Sequence, residues 1–166
     1  HQEARRQRQM CIRDSMKALW TEAVPRFEGR YFDFNGLRFE PKTIQKPHVP
    51  LHIGGNSRRA LRRVAEHGNG WHALSRSPED VREAARILEE IDRPIRLSVR
   101  AMVSVVDTPW DRPVTQRRTM KGTMDELEAM VAAYADAGVD ELVLDANAPD
   151  LDASRKMLRD FAHLSS

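Results

Sequence analysis

At 166 residues the chain has the length of one ordinary domain, and its 40% of apolar residues fall in short periodic runs that argue for a folded core. Its 27 basic and 25 acidic residues leave a formal net charge of +2, which gives no global nucleic-acid footprint. The single cysteine excludes a disulfide framework and no run approaches membrane-spanning length, so the expectation is a cytoplasmic protein acting on neither membrane nor nucleic acid.

The stretch ending in MKALW reads as a helix closing near Trp20. RYFDFNGLRFEP then holds two aromatic-apolar runs joined by Asn35-Gly36, which predicts a hairpin near 30–40 turning at that dipeptide. KTIQKPHVP is a proline-punctuated loop. From Leu51 onward strands and helices alternate. The strands are expected near 51–54, 70–74, 95–105 and 140–145. The helix stripes are Ala60, Leu61, Val64 and Ala65; then Val81, Ala84, Ala85 and Leu88; then Leu127, Met130, Val131, Tyr134 and Ala135. A last helix is marked by Leu151, Ser154, Leu158, Phe161 and Ala162. Ser77-Pro78-Glu79-Asp80 and Thr123-Met124-Asp125-Glu126 supply N-terminal caps for the second and third of these helices. Four strand-helix units in series predict an α/β fold with a parallel sheet, either open and doubly wound or half of a (β/α)8 barrel.

Gly54 and Gly55 fall where the first of these strands meets its helix, at the carboxyl edge where parallel α/β proteins bind ligands. Without Cβ atoms the backbone there can turn sharply and approach an anion, and Asn56 or Ser57 caps a helix whose free N–H groups favour phosphate. A plain strand-to-helix turn is the alternative. Arg96, Ser98, Arg100, Met102 and Ser104 share one face of the third strand, so Arg100 is a candidate for an anionic substrate, against a rim arginine in solvent or an ion pair. Arg58, Arg59, Arg62 and Arg63 are expected on a solvated helix face. His48 and His52 flank Pro50 in an extended stretch, and no HExxH or cysteine cluster occurs, so no metal site is expected.

The segment ALWTEAVPRFEGRYFDFNGLRFEPKTIQKPHVPLHIGGNS, followed by ALRRVAEHGNGWHAL and later by YADAGVDELVLD, resembles the bacterial luciferase-like monooxygenase superfamily. The likeness is greatest to the branch that uses the deazaflavin coenzyme F-420. It implies a TIM barrel of which this chain supplies the second half, four parallel strand-helix units preceded by a helix and a β-hairpin insertion. It also implies that Gly54, Gly55, Asn56 and Ser57 help hold the phosphate-bearing tail of the cofactor. Trp71 and His72 then open the next strand, while Ala73, Leu74 and Ser75 reach its carboxyl end beside the same tail. For Trp71, barrel packing is the alternative to cofactor contact. The implied activity is hydride transfer or oxygen insertion on a small-molecule substrate, with coenzyme F-420 or alternatively FMN, in a protein that is homo-oligomeric when full length. No catalytic acid-base residue can be named. A non-catalytic phosphate-ligand-binding α/β domain and an inactive half-barrel fragment are the competing readings.

Residues 1–15 stand apart, because MCIRDS resembles translated adaptor sequence and Met10 and Ile12 are interrupted by arginine, glutamine and aspartate. The expected boundaries are therefore a doubtful segment at 1–15 and the half-barrel at 16–166. Such a half is expected to expose inward faces carrying Ile53, Leu74 or their neighbours, Met102, and either Leu142 and Leu144 or Val143, and to be inactive alone.

Overall fold

A long polar helix and two short aromatic runs build the first of two units, which ends at Pro50. The computed structural model describes residues 2–106, 119–146 and 150–162. Helix α1 (Gln2–Thr21) precedes an antiparallel hairpin of β1 (Arg26–Glu28) and β2 (Asp33–Asn35). Cys11 and Ala18 are buried on α1. Phe27 opposes Phe34 across the hairpin, with ring centroids 5.8 Å apart. That pair corrects the expected turn. Matching the two phenylalanines puts the reversal midway between them, where the Gly29 N–H donates to Phe32 O at 2.9 Å. Asn35-Gly36 instead ends β2, and the Gly36 N–H bonds back to Pro25 O at 3.1 Å.

The second unit begins at Leu51 and follows the expected alternation. Its elements are β3 (His52–Gly54), α2 (Arg58–His67), β4 (Gly70–Leu74), α3 (Pro78–Glu89), β5 (Arg96–Val105), β6 (Thr119–Gly122), α4 (Met124–Asp136), β7 (Glu141–Ala146) and α5 (Leu151–Ala162). All strand pairs are parallel. β5 pairs with β4 through residues 96–100 and with β7 through 98–103, so these two strands lie on its opposite edges. β6 pairs with residues 102–105, of which Met102 and Val103 already pair with β7. It therefore occupies the edge that β4 vacates after Leu74. β6 is an addition to the expected four strands. TMKG has no apolar alternation of its own and becomes a strand because a ready-made edge is available.

Side-chain alternation divides the sheet into two faces. One face packs against all four helices of this unit: Trp71, Ala73, Leu97, Val99, Ala101 and Val103 join Leu61, Val64, Val81, Leu88, Leu127, Tyr134, Met157 and Phe161 in one buried cluster. Ile53, Leu142 and Leu144 pack on this side too, so Ile53 is not on the inward face and, of the two alternatives for β7, Val143 is. The opposite face carries His72 and Leu74 from β4, Ser98, Arg100 and Met102 from β5, and Val143 and Asp145 from β7, as their registers require. In α5 the buried stripe is Ala153, Met157 and Phe161, while the expected Leu151 and Leu158 are exposed. Among the described residues no helix is long and apolar enough to cross a membrane.

Helix ends are closed by side chains. Ser77 with Asp80, and Thr123 with Glu126, form the expected caps as reciprocal capping boxes. Arg93 closes the other end of α2: its Nη2 donates to Val64 O and Ala65 O at 2.9 Å each, and its Nη1 donates to Gly68 O. A cation at a helix C-terminus also complements the helix dipole. Arg93→Ala should cost about 1.5–3 kcal/mol, since it removes a charged donor from the Ala65 and Gly68 carbonyls, while Val64 O keeps the Gly68 N–H. Urea denaturation checks this, and a loss below about 0.5 kcal/mol, the range of neutral surface changes, would show the cap to be dispensable.

Candidate functional site

The carboxyl edge of the sheet is where β3 hands over to α2 and β4 to α3. Gly55 has φ +121°, a backbone region that side chains rarely adopt, and a Cβ there would lie 3.2 Å from the Ala60 Cβ. This lets the chain leave the strand and enter the helix within three residues. Ser57 is the N-cap of α2, its Oγ accepting from the Ala60 N–H at 3.2 Å. Of the two expected capping candidates, only Ser57 serves.

Asn56 does something else. Its Nδ2 donates to Leu74 O at 2.7 Å, and its Oδ1 accepts from the Leu74 N–H at 3.1 Å. The Gly55 N–H donates to His72 O at 3.3 Å, and the Trp71 indole N–H donates to Gly55 O at 2.7 Å. Arg76 adds a bond from its Nη2 to Asn56 O at 2.7 Å and an ion pair with Asp80 at 3.5 Å. The turn after β3 and the end of β4 thus form one hydrogen-bonded unit. Further along, the Tyr134 hydroxyl donates to Arg76 O at 2.5 Å, bringing α4 to the same edge.

Of the sequence-predicted site residues, the structure brings Gly54, Gly55, Asn56 and Ser57 beside His72, Leu74 and Ser75. The Trp71 side chain is 2% exposed and Ala73 is fully buried, both in the helix-side core, so Trp71 meets this edge through its indole bond to Gly55 O and Ala73 through its backbone. Ser75 is, among the described residues, the one non-glycine with positive φ (+49°), and its N–H donates to Arg100 O at 2.8 Å. Backbone outliers of this kind gather where a chain is held for function. Gly70 reaches the opposite end of β4. A Cβ on it would meet the His52 ring at 2.7–2.9 Å, so this glycine makes room for a histidine on the next strand.

On the face away from the helices, His72 Nδ1 lies 2.9 Å from Ser98 Oγ. Arg100 pairs with Asp145 at 2.5 Å across β5 and β7, with both side chains partly in solvent (51% and 38% exposed). Such exposed pairs contribute about 0–1 kcal/mol, so the guanidinium can change partners at little cost. The sequence places Ser98 on the Arg100 face and Tyr134 in a helix stripe without a part in the site, and it singles out neither Arg76 nor Asp145. Arg76 lies between the Gly-Trp strand and the Ser77 cap, and that position was its only signal.

The chain matches the luciferase-like monooxygenase family over residues 2–163. It is similar to an FMNH(2)-dependent dimethylsulfone monooxygenase of Pseudomonas putida, 30% identical over 115 residues that cover 65% of this chain and 31% of that protein. Among solved structures it resembles an F-420-dependent secondary alcohol dehydrogenase bound to an F-420-acetone adduct, with a TM-score of 0.65, 16% identity and coverage of 90% of this chain and 57% of the other. It also resembles the coenzyme F-420-dependent tetrahydromethanopterin reductase of Methanopyrus kandleri, with a TM-score of 0.67, 13% identity and coverage of 90% and 59%. These structural likenesses concern the fold alone. The chain spans about a third of the curated relative (31%) and under three fifths of the two structures.

Trp71→Phe keeps most of the packing and removes the indole donor from Gly55 O. It should lower stability by about 1–3 kcal/mol in urea denaturation, the cost of an unsatisfied buried partner plus lost contact. An unchanged midpoint would show that the bond to the turn is idle.

Proposed function

The chain belongs to the luciferase-like monooxygenase family, and from that premise we propose that it holds the phosphate-bearing tail of a flavin-type cofactor in an oxidoreductase acting on a small molecule. The proposed cofactor is coenzyme F-420, with FMN as the alternative that the P. putida relative supports. Bound, either ring supplies the hydride or oxygen chemistry, and the protein supplies binding, orientation and electrostatics.

The observation that carries this reading is the Gly54–Ser57 turn. Its carbonyls at Gly55 and Asn56 are taken by Trp71 and Arg76. The Ala60 N–H is taken by Ser57, whereas the Arg58 and Arg59 N–H groups before it have no partner within the helix, and the dipole there favours an anion. Gly55 lets the backbone approach without a Cβ in the way. Residues Gly54, Gly55, Asn56 and Ser57, with Trp71, His72, Ala73, Leu74 and Ser75 along and after β4, form the proposed cofactor edge. Ala73 takes part through the backbone only, and Trp71 through its indole bond to Gly55 O. Arg58 and Arg59 are exposed on the first turn of α2, which suits coenzyme F-420, because its tail carries carboxylates beyond the phosphodiester. Arg100 is the proposed contact for an anionic substrate group, exchanging Asp145 for the ligand. A homo-oligomer of the whole protein belongs to the same proposal. The competing reading is a binding domain without catalysis, for which the same turn serves.

Because the chain spans 57–59% of the solved structures it resembles, the test reads binding and not turnover. Gly55→Val places a β-branched side chain at φ +121° against Ala60. It should weaken coenzyme F-420 or FMN binding at least about tenfold, equivalent to about 1.4 kcal/mol, while the far-UV circular dichroism is retained. Equal affinity in the folded variant would reduce the turn to a connector.

A further inference from the structure

We infer that Asn56 is a positioning residue, whose side-chain amide stands in for a missing rung of β3 and so sets the conformation of the turn; the inference rests on the cofactor reading of that turn. The registers show the gap. β3 ends at Gly54, which pairs with His72, whereas β4 runs on to Leu74 with β5 still beside it. On the β3 side, Leu74 has no strand residue opposite. Its N–H and C=O would face water at a sheet edge, but both are taken by Asn56, at 3.1 and 2.7 Å. A carboxamide offers the same donor and acceptor as a peptide group, so one side chain can satisfy both groups that a continuing parallel strand would have bonded through two residues. No other side chain of this size does so: aspartate lacks the donor, and serine or alanine cannot span both atoms.

The staple uses both polar atoms of the side chain, and the main-chain carbonyl of Asn56 is held by Arg76. The residue therefore acts on a ligand through the turn it fixes. Immediately on either side lie Gly55, at φ +121°, and the Ser57 cap of α2. Neither position is held by packing, since residues 54–57 are exposed or only half-buried. The turn's alignment therefore depends on its links to β4, and Asn56 supplies two of them. Because the staple lies at the surface, its loss should disturb local geometry far more than global stability.

The test compares wild type, Asn56→Ala and Asn56→Asp in the whole chain by three readouts: amide exchange at Leu74, the urea midpoint, and the Kd for coenzyme F-420 and for FMN. In Asn56→Ala the Leu74 amide should exchange at least tenfold faster and cofactor binding should weaken at least fivefold, with the midpoint nearly unchanged. Asn56→Asp retains the acceptor and should keep Leu74 slow, with affinity also reduced. Unchanged Leu74 exchange in Asn56→Ala overturns the inference, and weaker binding with Leu74 still protected would make Asn56 a direct ligand contact. Fast Leu74 exchange with wild-type affinity overturns it as well. A wild-type chain that binds neither cofactor sinks the functional reading, while Leu74 exchange still decides whether the staple exists. Should Asn56→Ala unfold, Asn56→Asp decides: wild-type affinity in that variant overturns the inference.

Discussion

β5 constrains everything else in the second unit. It is the longest strand, paired on both edges, and its side chains Leu97, Val99, Ala101 and Val103 are all buried under the helix layer. A parallel sheet requires crossover connections, and here every helix described in the unit returns to the same face. Placing the helices on one side leaves the other side to a different set of residues: His72, Ser98, Arg100, Met102, Val143 and Asp145. The core and the chemistry-bearing face are thus two readings of one alternation. Removing apolar area from β5 would loosen all four helices together, because they share a single buried cluster.

The carboxyl edge follows from the same constraint. Parallel strands release all their helix-entry turns at one end, so the turns after β3 and β4 must be neighbours. What the sequence adds is the means of joining them. Gly55 allows the backbone angle, Trp71 reaches back to its carbonyl, and Arg76 and Asn56 tie the next residue to β4. Tyr134 extends the network to α4. The phosphate-binding role proposed for this edge needs just such an arrangement, with carbonyls engaged inward and helix N–H groups left for a ligand.

The alternation of strands and helices could be read from the sequence because it depends on local patterns. Val81, Ala84 and Leu88 recur at helical spacing, and Ser77 to Asp80 and Thr123 to Glu126 signal caps within four residues. Strand polarity was harder. A period of two says that Ile53, Leu142 and Leu144 share faces with their alternates, but not which face the helices cover, and both faces of this sheet contain apolar residues. The last helix was right at Phe161 and wrong elsewhere for a similar reason: Leu151 and Leu158 are as apolar as Met157, so the stripe could be drawn two ways. β6 was invisible because a short strand added to an existing edge has no pattern of its own. The hairpin turned at 29–32 because cross-strand pairing of Phe27 with Phe34 outweighed the turn preference of Asn35-Gly36. At the site, the glycines announced a turn by composition, whereas the bond from Asn56 to Leu74 joins residues 18 apart and depends on β3 and β4 being adjacent.

The central claim is that the edge formed by residues 54–57 and 72–76 receives the phosphate-bearing end of a flavin or deazaflavin. Mapping backbone amide chemical shifts while titrating coenzyme F-420, and separately FMN, tests it most directly. The account predicts saturable shifts concentrated at Gly55, Asn56, Ser57 and Arg58 and at Leu74 and Ser75, with α5 and the amino ends of the strands unmoved. Saturable shifts centred elsewhere, or none at any cofactor concentration at which the family binds, would contradict it.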